Sequence, residues 1–383
     1  MYGASDQLIA ALHTSHTVEL RATWESPGGI LPASEPRILG GSVTRTKAGR
    51  IGSGQATLEI AETSTEALVS LLDDLSPGGL RLRLERGASW LDEYGATVSE
   101  LAPIFSGFIV ASSVTSAPGG VKLDVTLEDA YRYLADAVVP GPVRYPPGTL
   151  IRDAVDDLFL RAGLTDVVTV IYDGVFPQAF AMARVFATTG SQPLLEILEP
   201  CLRSMGAELI VERDGTLRIR EPMEAAEAPT SWVYEAGELV TAITGQVSRD
   251  QLYNGVIVTT THPKLGSALS VAVWDYADPD SPLHPDHFGR RPRVFATNAL
   301  NDLASLQKAA QNFLRRLARD VATLTIEAVP NPLLDPGDVI VVEAPHLGLT
   351  MDRRWEILSI EMPLDVATPM RMECRAVRRR TTT

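Results

Sequence analysis

The stretch from Ala328 to Val377 constrains the fold more than any other part of the sequence. It contains two prolines followed by Pro336-Gly337, which force a tight reversal because proline fixes φ and glycine tolerates conformations that other residues avoid. Three runs with strand-like composition come after this turn, at Asp338–Glu343, Trp355–Ile360 and Met370–Val377. We therefore expect the chain to close on a β-domain built from consecutive strands.

The first third of the chain shows the same strand-like character. Six segments are predicted to be strands: Thr17–Trp24, Gly40–Thr46, Gln55–Ala61, Leu80–Glu85, Pro103–Val114 and Val121–Leu127. Thr63 and Glu66 form a capping-box signature for a helix, and a short helix is expected near Glu128–Ala137. Many short strands with one main helix are typical of a sandwich or barrel with a helical lid.

A pattern break rich in Pro and Gly at 140–148 predicts a domain boundary. Beyond it Thr149 is expected to cap one helix. A second helix is predicted to begin at Ser191, to tolerate Pro193 in its first turn and to run to Met205. These helices mark a smaller middle unit.

The middle unit is predicted to end in a hairpin, because Asp214-Gly215 lies between two alternating runs. An acidic linker at 224–229 comes next. Beyond the linker we expect further strands at 252–259 and 268–274, a loop rich in Pro, Asp and His at Asp275–Pro292, and a long helix from about Asn298 to Asp320.

These elements predict an α+β fold that is mostly β. A β-domain with a helix spans residues 1–140, the α+β unit spans 141–230, and a second β-domain with the long helix spans 231–383. The two outer domains share a plan of strands embracing one helix, although no strict sequence repeat is present.

The charge balance argues against stable nucleic-acid binding. The chain has 34 basic and 48 acidic residues and a formal charge of −14 at pH 7, so its net field repels phosphates. It has no apolar run long enough to span a bilayer and no signal-peptide pattern, so we expect neither a membrane span nor a secreted precursor. Cys201 and Cys374 lie in apolar patterns and are expected to be buried free thiols.

No motif assigns a catalytic, cofactor-binding or metal-binding residue. His284, Asp286 and His287 form the densest set of potential metal ligands, but Pro285 interrupts them and a solvated loop is the simpler interpretation. His13 and His16 are interpreted as surface residues near the N-terminus.

The sequence also lacks phosphate-loop, nucleophile-elbow and zinc-protease spacings. The adjacent acids Asp73-Asp74 and Asp156-Asp157 cannot face each other on a helix, so they are interpreted as solvated. Two catalytic acids of a glycosidase that lie far apart in the sequence would leave no such motif.

Two short basic runs stand out in this acidic chain, Arg290-Arg291-Pro292-Arg293 and Arg378-Arg379-Arg380. We interpret them as a solvated loop and tail. An alternative for the first run is contact with the acidic surface of a neighbouring subunit.

Four segments, in order, resemble the hub-type minor tail proteins of long-tailed bacteriophages. They are Phe105–Ile109 with the following Val125–Leu134, the helix and hairpin of Leu195–Arg220, the strand at Val247–Val258, and Phe288–Gly289–Arg290 through the long helix to the closing strands. The closing part contains Asn331-Pro332-Leu333-Leu334-Asp335-Pro336-Gly337-Asp338-Val339 and the turn Met362-Pro363-Leu364-Asp365. The N-terminal strands match this family in pattern only.

This resemblance implies a structural virion protein with two domains similar to the tail tube. Three such chains would present six domains and match a hexameric tube. The implied location is the tail tip, after assembly in the host cytoplasm. The implied partners are two further copies, the tail tube or distal tail protein above, tip or fibre proteins below, the tape-measure protein in the lumen, and DNA in passage.

Two other functions stay open from the sequence. One is a tail-tip module that binds cell-surface glycan through aromatic residues such as Trp274 and Tyr276. The other is a cell-wall hydrolase, which no motif in the sequence supports. The resemblance favours a protein that is not an enzyme and needs no cofactor.

Overall fold

A computed structural model describes most of the chain. The described residues are 3–14, 16–25, 35–47, 51–60, 80–92, 94–117, 120–180, 182–186, 191–205, 207–221, 228–235, 239–246, 253–260, 269–276, 279, 283–297, 303–317, 323–344, 349 and 353–377. The predicted helix around Thr63, the acids Asp73-Asp74, most of the 224–229 linker and the Arg378–Arg380 run lie outside them.

The described strands cover more of the chain than the helices, which confirms the predicted mostly-β α+β fold. The strands are β1 Thr17–Glu25, β2 Arg37–Thr46, β3 Ser53–Ile60, β4 Arg81–Leu91, β5 Thr97–Ala117, β6 Gly120–Glu128, β7 Val138–Pro140, β8 Val143–Tyr145, β9 Val170–Asp173, β10 Arg184–Phe186, β11 Ser191–Pro193, β12 Glu208–Val211, β13 Leu217–Arg220, β14 Thr230–Glu235, β15 Val240–Gln246, β16 Gly255–Thr260, β17 Leu269–Trp274, β18 Pro292–Thr297, β19 Thr323–Ala328, β20 Val339–Glu343, β21 Arg354–Pro363 and β22 Met370–Val377. The helices are α1 Asp6–Leu12, α2 Tyr131–Asp136, α3 Ile151–Arg161, α4 Leu194–Met205, α5 Pro285–Phe288 and α6 Leu303–Leu317.

The chain divides into two compact units, and both contain C-terminal residues. Unit 1 comprises Met1–Ser231, Glu327–Asp338 and Ile357–Met372, and unit 2 comprises Trp232–Ile326, Val339–Glu356 and Glu373–Thr383. Two late segments of the sequence are therefore part of unit 1. The proposed division at residues 140 and 230 stays a prediction.

Unit 1 is built on an antiparallel sheet with the strand order β1-β4-β5-β6-β3-β2, and β2 pairs with the end of β21. The register shifts between Leu84 and Glu85, where β4 meets a bulge in β5. A second bulge lies in β2 between Ile38 and Gly40, and Gly41 just after it has a φ of +125°. Bulges bend a strand locally and redirect the residues after them.

Residues 130–219 of unit 1 share a hydrophobic core, in which α3 and α4 pack together beside short two- and three-stranded sheets. The predicted hairpin is β12–β13, with Val211 opposite Leu217. Its loop closes with a bond from Glu212 N to Thr216 O and has Gly215 at φ +85°. This is a three-residue loop, and Arg213 lies at its tip.

Unit 2 contains the three-stranded sheet β17-β16-β18 with α6 packed on one face. Val256 and Val258 of β16 are fully buried against Leu306 and Ala310 of α6. Strands β14 and β20 pair in this unit, as do the first residues of β20 and β21.

Several predicted boundaries were wrong for identifiable reasons. Residues Ser191–Pro193 form β11 against β7, so the second middle helix begins at Leu194 and Pro193 precedes it. Thr149 does not cap α3, because its hydroxyl donates to the carbonyl of Pro146 and Leu150 occupies the N-cap position.

The loop predicted at Asp275–Pro292 contains the short helix α5. His284 caps this helix by accepting a hydrogen bond from the backbone N–H of Asp286. His284 is buried. The interpretation of His284 as solvated was therefore wrong. The described part of the long helix is Leu303–Leu317.

Candidate functional sites: two buried arginines and an open sheet face

Arg213, at the tip of the β12–β13 hairpin, is only 3% exposed. A buried guanidinium is stable only when its N–H groups are satisfied, and here they are. One bond goes to the carboxylate oxygen Oδ1 of Asp335, at 3.2 Å. The others go to four main-chain carbonyl oxygens, those of Pro103 at 3.2 Å, Pro332 at 2.6 Å, Leu333 at 3.4 Å and Leu334 at 3.2 Å. We call this arrangement the Arg213 site.

Asp335 supplies the counter-charge of the Arg213 site. Its Oδ2 lies 2.5 Å from Arg213 Nη2 and its Oδ1 lies 2.5 Å from Arg45 Nη1. Burial by itself would raise the pKa of Asp335, but the charges of the two arginines outweigh it and hold the pKa below its ordinary value. Burial lowers the pKa of Arg213 despite this partner.

The loop 331–338 is shaped so that its carbonyls converge on Arg213. Asn331 Oδ1 accepts a bond from Leu333 N at 3.0 Å, and Asp338 Oδ2 accepts one from Asp335 N at 2.9 Å. Gly337 has φ +99° and donates from its N–H to Ile357 O at 2.7 Å. The Asn, Gly and Asp of the sequence motif thus fold the loop, and its intervening carbonyls bind the guanidinium.

Arg86 of β4 makes a second site of this kind. It is 2% exposed, and its Nη1 donates to the carbonyls of Pro363 at 2.7 Å and Asp365 at 2.9 Å. The same turn is held from the other side by Leu364 N, which donates to Gly41 O at 2.9 Å. Burial lowers the pKa of Arg86 to about 10. We call this arrangement the Arg86 site.

Both sites adjoin the bulge between β4 and β5. Arg86 lies opposite Ala102 in the β4–β5 register, and the next carbonyl along β5, that of Pro103, accepts from Arg213. Each site holds one of the two C-terminal segments that belong to unit 1. The two sites thus bind residues 327–338 and 357–372 to the early part of the chain that contains β4 and β5.

Asp129 is a buried carboxylate of unit 1 that is held by backbone N–H groups. It is 7% exposed and accepts bonds from Gly52 N at 2.7 Å and Tyr131 N at 3.0 Å. Burial raises its pKa to about 7 against these bonds. It borders a cavity of about 20 Å³, also lined by Arg45 and Ser106, which has room for about one water and not for a substrate.

In unit 2 the loop before β18 is organised by Asn254, which is 1% exposed. Its Nδ2 donates to the carbonyls of Leu283 at 2.9 Å and Gly289 at 2.7 Å, and its Oδ1 accepts from Arg291 N at 2.8 Å. This buried amide holds the part of the loop from Leu283 to Arg291. Arg290, beside the anchor, is held in place and exposed.

Trp274 lies across the sheet instead of projecting into solvent. A Cβ on Gly255 would come within 2.2 Å of its ring, so the ring covers this glycine. The guanidinium of Arg290 lies 5.5 Å from the ring centroid of Trp274 and donates to Tyr276 Oη at 3.4 Å. With Gly255 and Arg290 beside its ring, Trp274 does not offer the open aromatic platform that the glycan-binding hypothesis needs. Tyr276 is 47% exposed.

Among the described residues, the face of this sheet opposite α6 is open. Val294 of β18 is 60% exposed, and Ala272 of β17 and Ala296 of β18 are exposed beside it. Ile257 of β16 lies in the same row as Ala272 and Val294. We call Ile257, Ala272, Val294 and Ala296, together with Trp274, the open sheet face.

The other residues considered from the sequence have structural roles or lie at the surface. Cys201 and Cys374 are buried free thiols, as predicted, and burial raises the pKa of Cys201 to about 11. His13 follows the end of α1, so it and His16 do not share a helical face. Across the described ranges, no group of three His, Cys, Asp or Glu side chains is placed to hold a metal ion. None of the described helices is long and apolar enough to cross a membrane.

Sequence reasoning identified neither buried arginine. Asp214-Gly215 predicted the hairpin but carried no information on the contacts of its tip. The turns at 331–338 and 362–365 were the available signal, since a folded turn presents several carbonyls in one direction.

No family model matches the sequence, and no curated protein matches it at a significant level. Solved structures do share its fold. The 43 kDa tail protein of prophage MuSo2 from Shewanella oneidensis aligns with a TM-score of 0.63 and 15% identity, over 94% of this chain and 98% of that one. The tail protein from Neisseria meningitidis MC58 aligns with a TM-score of 0.63 and 15% identity, over 94% and 96%.

A chain of the Francisella PdpA-VgrG complex aligns with a TM-score of 0.55 and 10% identity, over 95% of this chain and 58% of that one. At these identities the likeness establishes the fold. The chain therefore has the fold of phage tail proteins, as the resemblance in its motifs implied.

Proposed function

We propose that this protein is a structural subunit of a phage tail. The observation that carries the proposal is the shared fold with prophage tail proteins over nearly the whole length of both chains. A match confined to one domain would leave the remaining residues free for another role. Here 94% of the chain follows the tail-protein fold.

In the finer form of this proposal, three copies make a hub ring at the tail tip that continues the tube. Residues 1–140 and 231–383 would act as equivalent blocks, so that threefold symmetry imitates sixfold symmetry. The likeness to a chain of the PdpA-VgrG complex supports a subunit that works in a complex with other chains. The partners would be the tube or distal tail protein, the tip or fibre proteins and the tape-measure protein.

The charge of the chain suits a ring through which DNA passes. At a formal charge of −14 it repels phosphates, so DNA in the lumen would not adhere. In this role the chain lines or gates the DNA path without binding a sequence and without catalysis.

The test is the mass of the purified full chain in solution, followed by class averages of the same sample. We expect a species of three times 41.3 kDa and a ring with an open centre. A protein that stays monomeric in every preparation and is missing from the tail tip of assembled particles would overturn the hub assignment. Turnover of peptidoglycan by the purified chain would overturn the non-enzymatic role.

A further inference from the structure

We propose that the open sheet face of unit 2, with Arg290 at its end, is a contact surface between copies of this chain. The inference rests on the proposed ring. It goes further by naming the residues through which one subunit meets the next.

The first observation is the composition of the surface. Its centre is small and apolar, with Ala272, Val294 and Ala296 exposed, and its end carries Trp274 and Arg290. Exposed apolar area bordered by aromatic residues and arginine is the make-up of protein interfaces. The polar residues of this face, Thr259 of β16 and Ser270 of β17, lie at the end away from Trp274.

The second observation is the state of Arg290. Within the described part of the chain its guanidinium pairs with no carboxylate, and its contacts are the ring of Trp274 and the hydroxyl of Tyr276. A guanidinium placed over a ring keeps its N–H groups available for a carboxylate. The Asn254 anchor holds the loop in this form before any partner binds.

The third observation, the charge of the chain, indicates which partner binds the open sheet face. The chain has 48 acidic against 34 basic residues, so another copy offers carboxylates with which the exposed Arg290 can pair. A closed ring of three copies needs a heterologous contact, in which this face meets a different surface of the next subunit. A neutral sugar would need an open ring face, and Gly255 and Arg290 lie beside that of Trp274.

The size of the face sets the expected effect. Three strands of six residues cover roughly 300 Å², whereas a stable interface buries about 800 Å² on each partner. The open sheet face is therefore one part of the contact. Its disruption should weaken the assembly strongly without destroying the fold of the subunit.

The experiment compares two single variants with two matched controls in the full chain. Val294→Arg places a charge on the open sheet face, and Arg290→Glu reverses the charge at its end. Val185→Arg makes the same change at an exposed valine of β10, and Arg37→Glu makes it at an arginine that is 80% exposed in its side chain. Dilution series followed by mass photometry or sedimentation equilibrium give the dissociation constant of each assembly.

We expect Val294→Arg and Arg290→Glu to raise the dissociation constant at least tenfold, and the two controls to change it by less than twofold. Far-ultraviolet circular dichroism checks that each variant is folded. Assembly of both variants at wild-type strength would overturn this inference and leave the ring intact. A wild type that is monomeric in every preparation and missing from the tail tip would instead overturn the proposed hub ring, and this inference with it.

A photo-crosslinker at position 294 identifies the occupant independently of stability. A covalent product between two copies of the purified chain supports the inference. Crosslinks in assembled particles that reach only a different polypeptide, a glycan or DNA would overturn it.

Discussion

The Arg213 site and the Arg86 site both bury a guanidinium, but they satisfy it with different partners. Both bury a guanidinium almost completely and both bind backbone carbonyls of a C-terminal turn. At the Arg213 site Asp335 supplies a counter-charge shared with Arg45. At the Arg86 site the bonds are to carbonyls, and the pKa of Arg86 falls to about 10.

This difference teaches what each arginine contributes. The Arg213 site is an ionic network, in which removal of one member leaves another charge buried without compensation. The Arg86 site is a set of hydrogen bonds, in which removal of the arginine leaves carbonyls unsatisfied but no stranded charge. The two sites should therefore respond differently to mutation and to pH.

The largest effect is expected for Asp335→Ala. It leaves the buried Arg213 beside the partly exposed Arg45 without their shared counter-charge, and we expect a loss of about 3–5 kcal/mol in the free energy of unfolding. Urea denaturation at fixed protein concentration measures it. Glu361→Ala, at an exposed acid of β21, is the control and should change stability by less than about 0.5 kcal/mol. If Asp335→Ala and Glu361→Ala lowered the free energy of unfolding equally, Asp335 would not be the counter-charge of a buried ionic network.

Gly41→Ala should lower the free energy of unfolding by roughly 3 kcal/mol. Gly41 contacts the same turn that Arg86 binds, because its carbonyl accepts from Leu364 N. A Cβ would lie 2.0 Å from Gln55 O, and φ is +125°, so neither space nor backbone accepts a side chain. Gly40→Ala is the matched control, because nothing lies within 4 Å of its Cβ position. Thermal unfolding of both variants checks this, and a stable Gly41→Ala protein would contradict the close approach.

Arg86→Met should cost about 1–3 kcal/mol, less than Asp335→Ala, because the loss is mainly of hydrogen bonds and the nearby carboxylate of Asp365 is partly exposed. Hydrogen exchange should rise in the turn around Leu364 before it rises in loop 331–338. Arg83→Met, on the same strand but partly exposed, should cost less than about 1 kcal/mol. A loss at Arg86 as large as that at Asp335 would remove the distinction between the two sites.

The smallest effect is a difference in pH dependence. The folded pKa of Asp335 is lowered, so its stabilisation is present above its unfolded pKa of about 3.9 and is lost as pH falls through the folded value. The cost of Arg213→Met should therefore shrink between pH 6 and pH 3, and it should shrink more than that of Arg86→Met, whose neighbouring carboxylate Asp365 is partly exposed. Urea midpoints across this range provide the measurement, and parallel curves would argue against an ionic Arg213 site.

The sequence predicted the regular elements with strong patterns and missed those that depend on tertiary pairing. Strands β1, β3, β4 and β6 were recognised because each alternates over several residues. Strands β7, β8, β10 and β11 have three residues each, too few to show a period, and they form only because a partner strand is present. Ser191 looked like a helix start for this reason.

The candidate sites were harder to predict than the fold. The prolines and glycine of loop 331–338 indicated a turn, yet the atoms that bind Arg213 are main-chain carbonyls, which every residue has. Trp274 and Tyr276 were recognised as a pair near a loop, and Arg290 as part of a basic run. That Gly255 lets the indole lie flat under Arg290 depends on a strand pairing that no local pattern contains.

The return of residues 327–338 and 357–372 to unit 1 has a consequence for biosynthesis. A ribosome that has translated as far as Ser231 has produced both Arg86 and Arg213 but none of the carbonyls in the late turns that they bind. A chain terminated there would lack the late carbonyls that these two guanidinium groups use as acceptors. Unit 1 can therefore acquire its full set of contacts only after position 372 has been translated.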